Sequence, residues 1–115
     1  MNQREYLVIS FDNIDYVTDA IYHYDTHGIF DEMVGNGDVF IEDNEVGFVV
    51  DKLHIVALIL SKISYMLEDY ELSKIIHDIA IVTLTKHCEA ITQERIDSSS
   101  MMATIKSKPI NNTLH

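Results

Sequence analysis

The sequence is poor in cysteine, glycine and proline, and two of these shortages exclude whole classes of site. Its 115 residues include one cysteine, four glycines, one proline and no tryptophan. A single cysteine cannot form an intramolecular disulfide, a multi-thiolate zinc site or an iron–sulfur cluster. The four glycines do not have the spacing of a phosphate-binding loop. We therefore expect no redox cluster and no nucleotide cofactor.

Long apolar runs are also missing. The longest spans residues 55–60, far below the roughly 18 residues that cross a bilayer. The first residues lack the basic, apolar and small-residue pattern of a secretion signal. A single unpaired thiol agrees with a reducing compartment. We therefore expect a soluble, cytoplasmic protein with no membrane partner.

Basic residues are scarce and unevenly placed. Lys and Arg number 8 against 19 Asp and Glu, which gives a net charge of −11. A general nucleic-acid binder carries the opposite sign, so we expect no direct contact with nucleic acid. Residues 1–51 contain Arg4 as their one strong base and twelve acids, a net −11, whereas residues 52–115 carry seven bases and seven acids. The whole excess of negative charge therefore lies in the first 51 residues, and asymmetry of this kind points to a partner rather than to a fold.

Length and composition predict one folded unit. Hydrophobic residues make up 47% of the chain and charged residues 23%, close to the average for globular domains. From Asp97 onward the sequence becomes polar and includes three consecutive serines. We therefore predict a compact domain over residues 1–96 and a flexible polar tail over residues 97–115.

The first half of the chain predicts a strand, a helix and a β-hairpin. Residues 5–12 are rich in β-branched and aromatic side chains and are typical of a buried strand. Apolar residues at spacings of three and four indicate a helix over residues 13–26. The Gly-Asn-Gly-Asp segment at residues 35–38 is the strongest turn signal. It opens a predicted hairpin over residues 38–50.

A helical alternative exists for the second part of this hairpin. The apolar residues from Val46 to Leu67 also match helical spacing, so a single helix could begin near Asn44 and make the protein all-α. The β-branched and aromatic residues of segment 46–50 favour the strand, and Gly47 weakens the helix. We therefore predict the hairpin and keep the all-α fold as the alternative.

Two long helices follow, over residues 52–68 and 71–95. A short connection at Asp69 and Tyr70 makes them an antiparallel hairpin. The predicted fold is therefore α+β, with a small antiparallel sheet packed on a long helical hairpin. Both helices are apolar around most of their circumference and need cover on several sides. A second copy could supply part of that cover, which predicts a homodimer through the long helices.

The sequence contains no convincing catalytic or metal-binding set. His23 and His27 are four residues apart, but His27 lies at the end of the predicted helix and a third ligand is missing. His87 and Cys88 are adjacent on a helix and therefore do not face each other. A buried cysteine that acts as a small hydrophobe is the more common case. We predict that the chain is not an enzyme and binds no metal or cofactor.

Acidic residues interleaved with aromatic ones predict a folded acidic surface that binds a basic protein. Tyrosines serve as anchors in interface centres, and opposed charges speed association. The predicted partner-binding residues are Asp12, Asp15, Tyr16, Asp19, Tyr22, Asp25, Asp31, Glu32, Asp38, Glu42, Asp43 and Glu45.

In size and charge the chain resembles nuclease-toxin immunity proteins, antitoxins, phage anti-defence inhibitors and nucleic-acid mimics. This resemblance implies an inhibitor that occupies a basic surface of its partner. The alternative is an oligomeric adaptor or regulator that acts through the helical hairpin, with the acidic residues serving solubility alone.

Overall fold

The computed structural model describes residues 3–93 and 103–109. Within these residues the chain forms four strands and four helices. In chain order they are β1 (Gln3–Ser10), α1 (Ile14–His23), α2 (Ile29–Gly35), β2 (Val39–Glu42), β3 (Glu45–Val49), α3 (Leu53–Met66), α4 (Tyr70–Thr92) and β4 (Ala103–Pro109). A single 3₁₀ turn, Val50–Lys52, leads from β3 into α3.

The four strands make one antiparallel sheet in the order β2-β3-β1-β4. Since β1 and β2 are both antiparallel to β3, they run parallel to each other with β3 between them. By the same argument β3 and β4 are parallel with β1 between them. The chain therefore makes two split β-α-β crossovers, and each one contains a pair of helices.

The two faces of the sheet have different environments because successive side chains of a strand point to opposite sides. On the inner face Leu7 and Ile9 of β1 lie beside Val46 and Phe48 of β3 in the main core. On the open face Tyr6, Val8 and Val49 form a smaller cluster with Phe40. Both faces of β1 are thus buried, which explains its nearly continuous apolar sequence.

The helices cover the inner face of the sheet. Val17 and Ile21 of α1 and Phe30 of α2 are fully buried in the main core. Buried residues of α3 and α4 complete it: Leu53, Val56, Leu60, Ile63, Leu72, Ile76, Ile79 and Val82. α3 and α4 pack closely along their length as an antiparallel helical hairpin. A single layer of helices on one side of the sheet therefore contains most of the apolar mass.

The predicted α+β fold is confirmed, and the all-α alternative is wrong. Segment 46–50 fitted both a strand and a helix in the sequence, and most of it forms β3, which pairs with β2 and with β1. The three predicted helices are present as α1, α3 and α4, with ends that differ by up to three residues where both ends are described. The segment after Gly28 forms the short additional helix α2.

The prediction of a flexible tail is wrong for residues 103–109, which form β4. This strand pairs along its full length with β1, from Ala103 opposite Ile9 to Pro109 opposite Gln3. Thr104, Lys106 and Lys108 alternate with Ala103 and Ile105, so the segment has the period of two that a strand requires. The folded unit therefore extends beyond residue 96. The rest of the predicted tail lies outside the described residues.

Candidate functional site

The exposed side of α1 is a row of acidic and aromatic side chains. Asp12 lies just before the helix, and Asp15, Asp19 and Tyr22 follow at spacings of three, four and three residues. This spacing places Asp15, Asp19 and Tyr22 on one face of the helix, and Asp12 precedes them in the turn before it. The opposite face of α1 is buried in the main core. The sequence of α1 therefore directs its carboxylates outward.

The loop between α1 and α2 continues this acidic row. Gly28 adopts a left-handed conformation, φ 66°, at the start of α2. Asp25 in the loop accepts a hydrogen bond from the backbone N–H of Asp31 at 3.1 Å, which stabilises the first turn of α2. The Tyr22 ring packs edge-on against Phe30 at 5.0 Å between ring centroids. Burial raises the pKa of Tyr22, and the nearby charges of Asp31 and Asp25 raise it further.

A tyrosine links α1 to the start of α4. The Tyr16 hydroxyl donates a hydrogen bond to Asp69 Oδ2 at 2.6 Å, and Asp69 Oδ1 accepts from the backbone N–H of Leu72 at 3.1 Å. The bond to Asp69 raises the pKa of Tyr16, and the same bond lowers the pKa of Asp69. Tyr16 nevertheless remains 41% exposed. The ring is therefore held in place while much of its surface stays open to a partner.

Eight of the predicted residues form what we call the acidic surface. They are Asp12, Asp15, Tyr16, Asp19, Tyr22, Asp25, Asp31 and Glu32. Segment 12–32 contains six acids and neither Lys nor Arg. Within residues 3–93 and 103–109, no Lys or Arg lies within salt-bridge distance of these six carboxylates. Asp43 is also exposed, but it lies apart from them in the β2–β3 turn, with φ 51°.

Asp38 does not belong to this surface, which corrects its assignment as a partner-binding residue. Its side chain is only 4% exposed and bonds to Arg4 and to Lys52, the latter at 2.8 Å. Burial alone would raise the pKa of Asp38, but the hydrogen bonds from Lys52 and Arg4 outweigh it and lower the pKa. Asp38 therefore holds β1 to the start of α3 and is not available to a partner.

Glu42 and Glu45 are likewise paired inside the chain. Lys108 Nζ lies 2.8 Å from Glu42, and Lys106 Nζ lies 2.9 Å from Glu45. Both lysines belong to β4, so the strand that was expected to be a tail neutralises two predicted binding residues. These pairs lie more than 60 positions apart in the sequence.

A glycine allows one aromatic ring to cover the open face of the sheet. The Phe40 ring lies across Gly47, where a Cβ atom would come within 2.0 Å of the ring. From there it contacts Tyr6 edge-on at 5.1 Å, and Lys108 Nζ lies 3.9 Å from its centroid. Asp38, Glu42 and Glu45 also form ion pairs on this side of the sheet. Most charged and aromatic groups of the open face are therefore in contact with other groups of the same chain.

The helical hairpin carries one contact that sequence patterns did not reveal and one feature that they predicted. His54 on α3 and His87 on α4 have ring centroids 4.9 Å apart. Several large apolar side chains on the outer side of this hairpin are exposed: Leu58 75%, Tyr65 84%, Ile81 38%, Leu84 46% and Ile91 67%. The sequence pattern of each helix taken alone does not predict the contact between the two histidines, because that contact depends on how α3 and α4 are aligned with each other.

A depression lies between the end of α3 and the start of α4. Its lining includes Ser64, Tyr65, Tyr70, Ser73, Lys74 and His77. Ser73 Oγ donates to the carbonyl of Ser64 at 2.6 Å, and Lys74 Nζ is 3.0 Å from Asp78. The hydroxyl of Ser73 and the ammonium group of Lys74 are therefore engaged in local bonds.

The described part of the chain contains no three His, Cys, Asp or Glu side chains arranged to hold a metal ion. Among its helices, none combines the length and the apolar character needed to traverse a bilayer. Comparisons with protein-family models, with curated proteins and with solved structures give no match to this chain.

Proposed function

We propose that this protein is a non-enzymatic binding module whose acidic surface occupies a basic surface of a partner protein. The observation that supports this proposal is the set of six carboxylates on α1, α2 and their connection, which have no Lys or Arg partner among the described residues. By contrast, the carboxylates on the open face of the sheet are paired with bases of the same chain. Six carboxylates without a Lys or Arg partner among the described residues thus lie together on α1, α2 and their connection.

Unpaired carboxylates so close together destabilise the free protein. Asp15 and Asp19 are four residues apart on α1, and a like-charge pair at that spacing costs roughly 0.2–0.5 kcal/mol. Lysines and arginines of a partner would relieve this repulsion on binding. The same charges would speed association and make it sensitive to salt.

Two tyrosines supply contact area inside the acidic surface. Tyr16 and Tyr22 are 41% and 38% exposed, and each is held by a contact to another element. A ring that is already fixed loses little conformational entropy on binding, as interface anchors require. The partner we propose therefore has a Lys- and Arg-rich surface with room for aromatic rings, such as a surface that normally holds phosphate or another anionic substrate.

The proposed mechanism is occupancy. Carboxylates of the acidic surface would take the positions of anionic groups that the partner normally binds, and the bulk of the domain would block access. This agrees with the immunity proteins, antitoxins and inhibitors that the chain resembles in size and charge. We place this activity in the cytoplasm, since the one cysteine has no disulfide partner within the chain.

The test compares charge removal at two locations. One variant carries Asp12→Asn, Asp15→Asn and Asp19→Asn, and a matched control carries Glu5→Gln, Asp51→Asn and Glu68→Gln, which are also exposed. Each immobilised protein is exposed to lysate of the source cells at low salt and eluted with a salt gradient. Retained proteins are then purified, and their association rates with each variant are measured.

We expect a basic protein to bind the wild type and the control, and to associate about tenfold more slowly with the acidic-surface variant. Its association rate with the wild type should fall as salt rises. If no basic protein is retained, if its binding is indifferent to salt, or if both variants lose binding equally, the proposal is wrong.

A second candidate function is an oligomeric adaptor that acts through the helical hairpin. The exposed apolar side chains on the outer side of α3 and α4 favour it. In that case, neutralising the acidic surface would leave partner binding unchanged.

A further inference from the structure

The outer side of α4 carries a stripe of side chains with alternating spacings of three and four residues, polar at its start and apolar from Ile81 onward. The stripe comprises Lys74, His77, Ile81, Leu84, Cys88 and Ile91. Ile81, Leu84 and Ile91 are 38%, 46% and 67% exposed, and Cys88 is half-buried. Alternation of three and four is the pattern with which one helix packs along another in a coiled coil. The exposure shows that the described part of this chain does not cover the stripe.

α3 widens this stripe into a face. Leu58 and Tyr65 lie seven residues apart on the outer side of α3 and are 75% and 84% exposed. The ring contact between His54 and His87 shows that the outer sides of the two helices meet. We call this surface the outer helix face and define it by Leu58, Tyr65, Ile81, Leu84 and Ile91.

We propose that the outer helix face binds a second copy of this chain, so that two helical hairpins form a symmetric four-helix interface. This proposal concerns a different surface from the acidic one and does not depend on it. In a two-fold dimer the same patch serves both partners, so the face must be compatible with itself. An apolar face made of two helices can pack against a copy of itself, as helices do in a four-helix bundle, and so meets this condition.

The near-zero net charge of the two long helices favours a second copy as the binding partner of this face. Segment 52–92 carries four bases and five acids, a net −1, whereas residues 1–51 carry −11. The one full charge in the stripe, Lys74, is paired with Asp78 at 3.0 Å. Two chains of charge −11 repel each other least where that charge is nearly balanced. A basic partner, by contrast, would find no excess of carboxylates here.

The size of the face is also sufficient. α3 has 14 residues and α4 has 23, which correspond to lengths of about 21 and 34 Å. Two helices lie about 8–10 Å apart when packed together. A face of this length and two helices wide can supply roughly the 800 Å² per partner of a standard interface.

The test measures molar mass by light scattering and sedimentation over a concentration series. Ile81→Arg changes the outer helix face, and Ile29→Arg is its matched control because both isoleucines are 38% exposed. Leu58→Arg is a second variant; since Leu58 is 75% exposed, the change should not affect folding. Circular dichroism verifies that each variant is folded.

We expect the wild type and Ile29→Arg to have twice the 13.2 kDa mass of one chain, and Ile81→Arg and Leu58→Arg to show a twofold lower mass. The wild-type dimer should persist in high salt, where binding of a basic partner would weaken. A wild type that stays at 13.2 kDa at every concentration overturns the proposal. Assembly into larger species, or a dimer that both folded face variants retain, also overturns it. None of these results depends on whether the acidic surface binds a partner.

Discussion

At the scale of the residue, Asp38 connects four parts of the fold. Its carboxylate bonds to Arg4 on β1 and to Lys52 just before α3, its backbone N–H donates to the carbonyl of Met33, and its own carbonyl accepts from Val49. A carboxylate that is 4% exposed is stable only when it is paired. Its bonding pattern is therefore that of a structural residue.

Replacing Asp38 by Asn should destabilise the fold by about 1–3 kcal/mol, because Arg4 and Lys52 lose their charged acceptor. The matched control is Asp78→Asn, which breaks an exposed pair with Lys74 and should cost less than about 0.5 kcal/mol. Urea denaturation at neutral pH measures both. Equal losses in the two variants would contradict the structural role of Asp38.

The pH dependence of the Asp38 contribution has a definite sign. Because the pKa of Asp38 is lowered in the fold from its ordinary value of 3.8, its contribution is complete above that value and is lost as the pH falls further. The wild type should therefore lose more stability than Asp38→Asn between about pH 4 and pH 2. Parallel losses in both proteins would show that Asp38 is not the group that titrates.

At the scale of the element, the start of α4 is held by the hydrogen bonds of one side chain, that of Asp69. Asp69 accepts from the N–H of Leu72 in the first turn and from the hydroxyl of Tyr16 on α1. The break between α3 and α4 is therefore fixed by an N-cap that also attaches α1.

Asp69→Ala should lower the free energy of unfolding by about 1 kcal/mol, as loss of an N-cap does. Tyr16→Phe removes the link to α1 but keeps the cap, so its effect should be smaller. Amide hydrogen exchange in the first turn of α4 should rise in Asp69→Ala and stay unchanged in the exposed control Glu68→Ala. Unchanged exchange in Asp69→Ala would mean that the cap does not hold this turn.

The elements with local signals could be predicted from the sequence, and the element that depends on distant pairing could not. The periodic apolar residues of α3 and α4 and the β-branched residues of β1 led to nearly correct boundaries. β4 is short and polar, and its partner β1 lies about 100 positions earlier in the chain. Prediction of the site was limited in the same way. Glu42 and Glu45 were predicted to bind a partner because nothing near them in the sequence shows that β4 pairs them with Lys108 and Lys106.

At the scale of the whole molecule, charge and apolar surface lie in different parts of the chain. The acidic surface belongs to α1, α2 and their connection, whereas most of the exposed large apolar side chains belong to α3 and α4. Because the two surfaces share no residue, the two interactions that we propose are compatible with each other.

Net charge of −11 should make stability depend on salt. Repulsion among the carboxylates of the acidic surface is screened as ionic strength rises. Urea denaturation at one fixed protein concentration should therefore give a higher free energy of unfolding in sodium chloride than in dilute buffer. The variant with Asp12→Asn, Asp15→Asn and Asp19→Asn should be more stable at low salt and respond less to added salt. A wild type that salt does not stabilise would contradict this account.

The place of β4 in the sheet has a consequence for biosynthesis. β1 is a central strand, yet the neighbour on one of its sides is made about 100 residues later. While the chain emerges from the ribosome, β1 can pair with β3 but leaves its other row of backbone N–H and C=O groups open. The nascent protein thus exposes a strand edge that can pair with other chains until nearly all of the fold has been synthesised. A premature stop before residue 103 would leave that edge permanently unpaired.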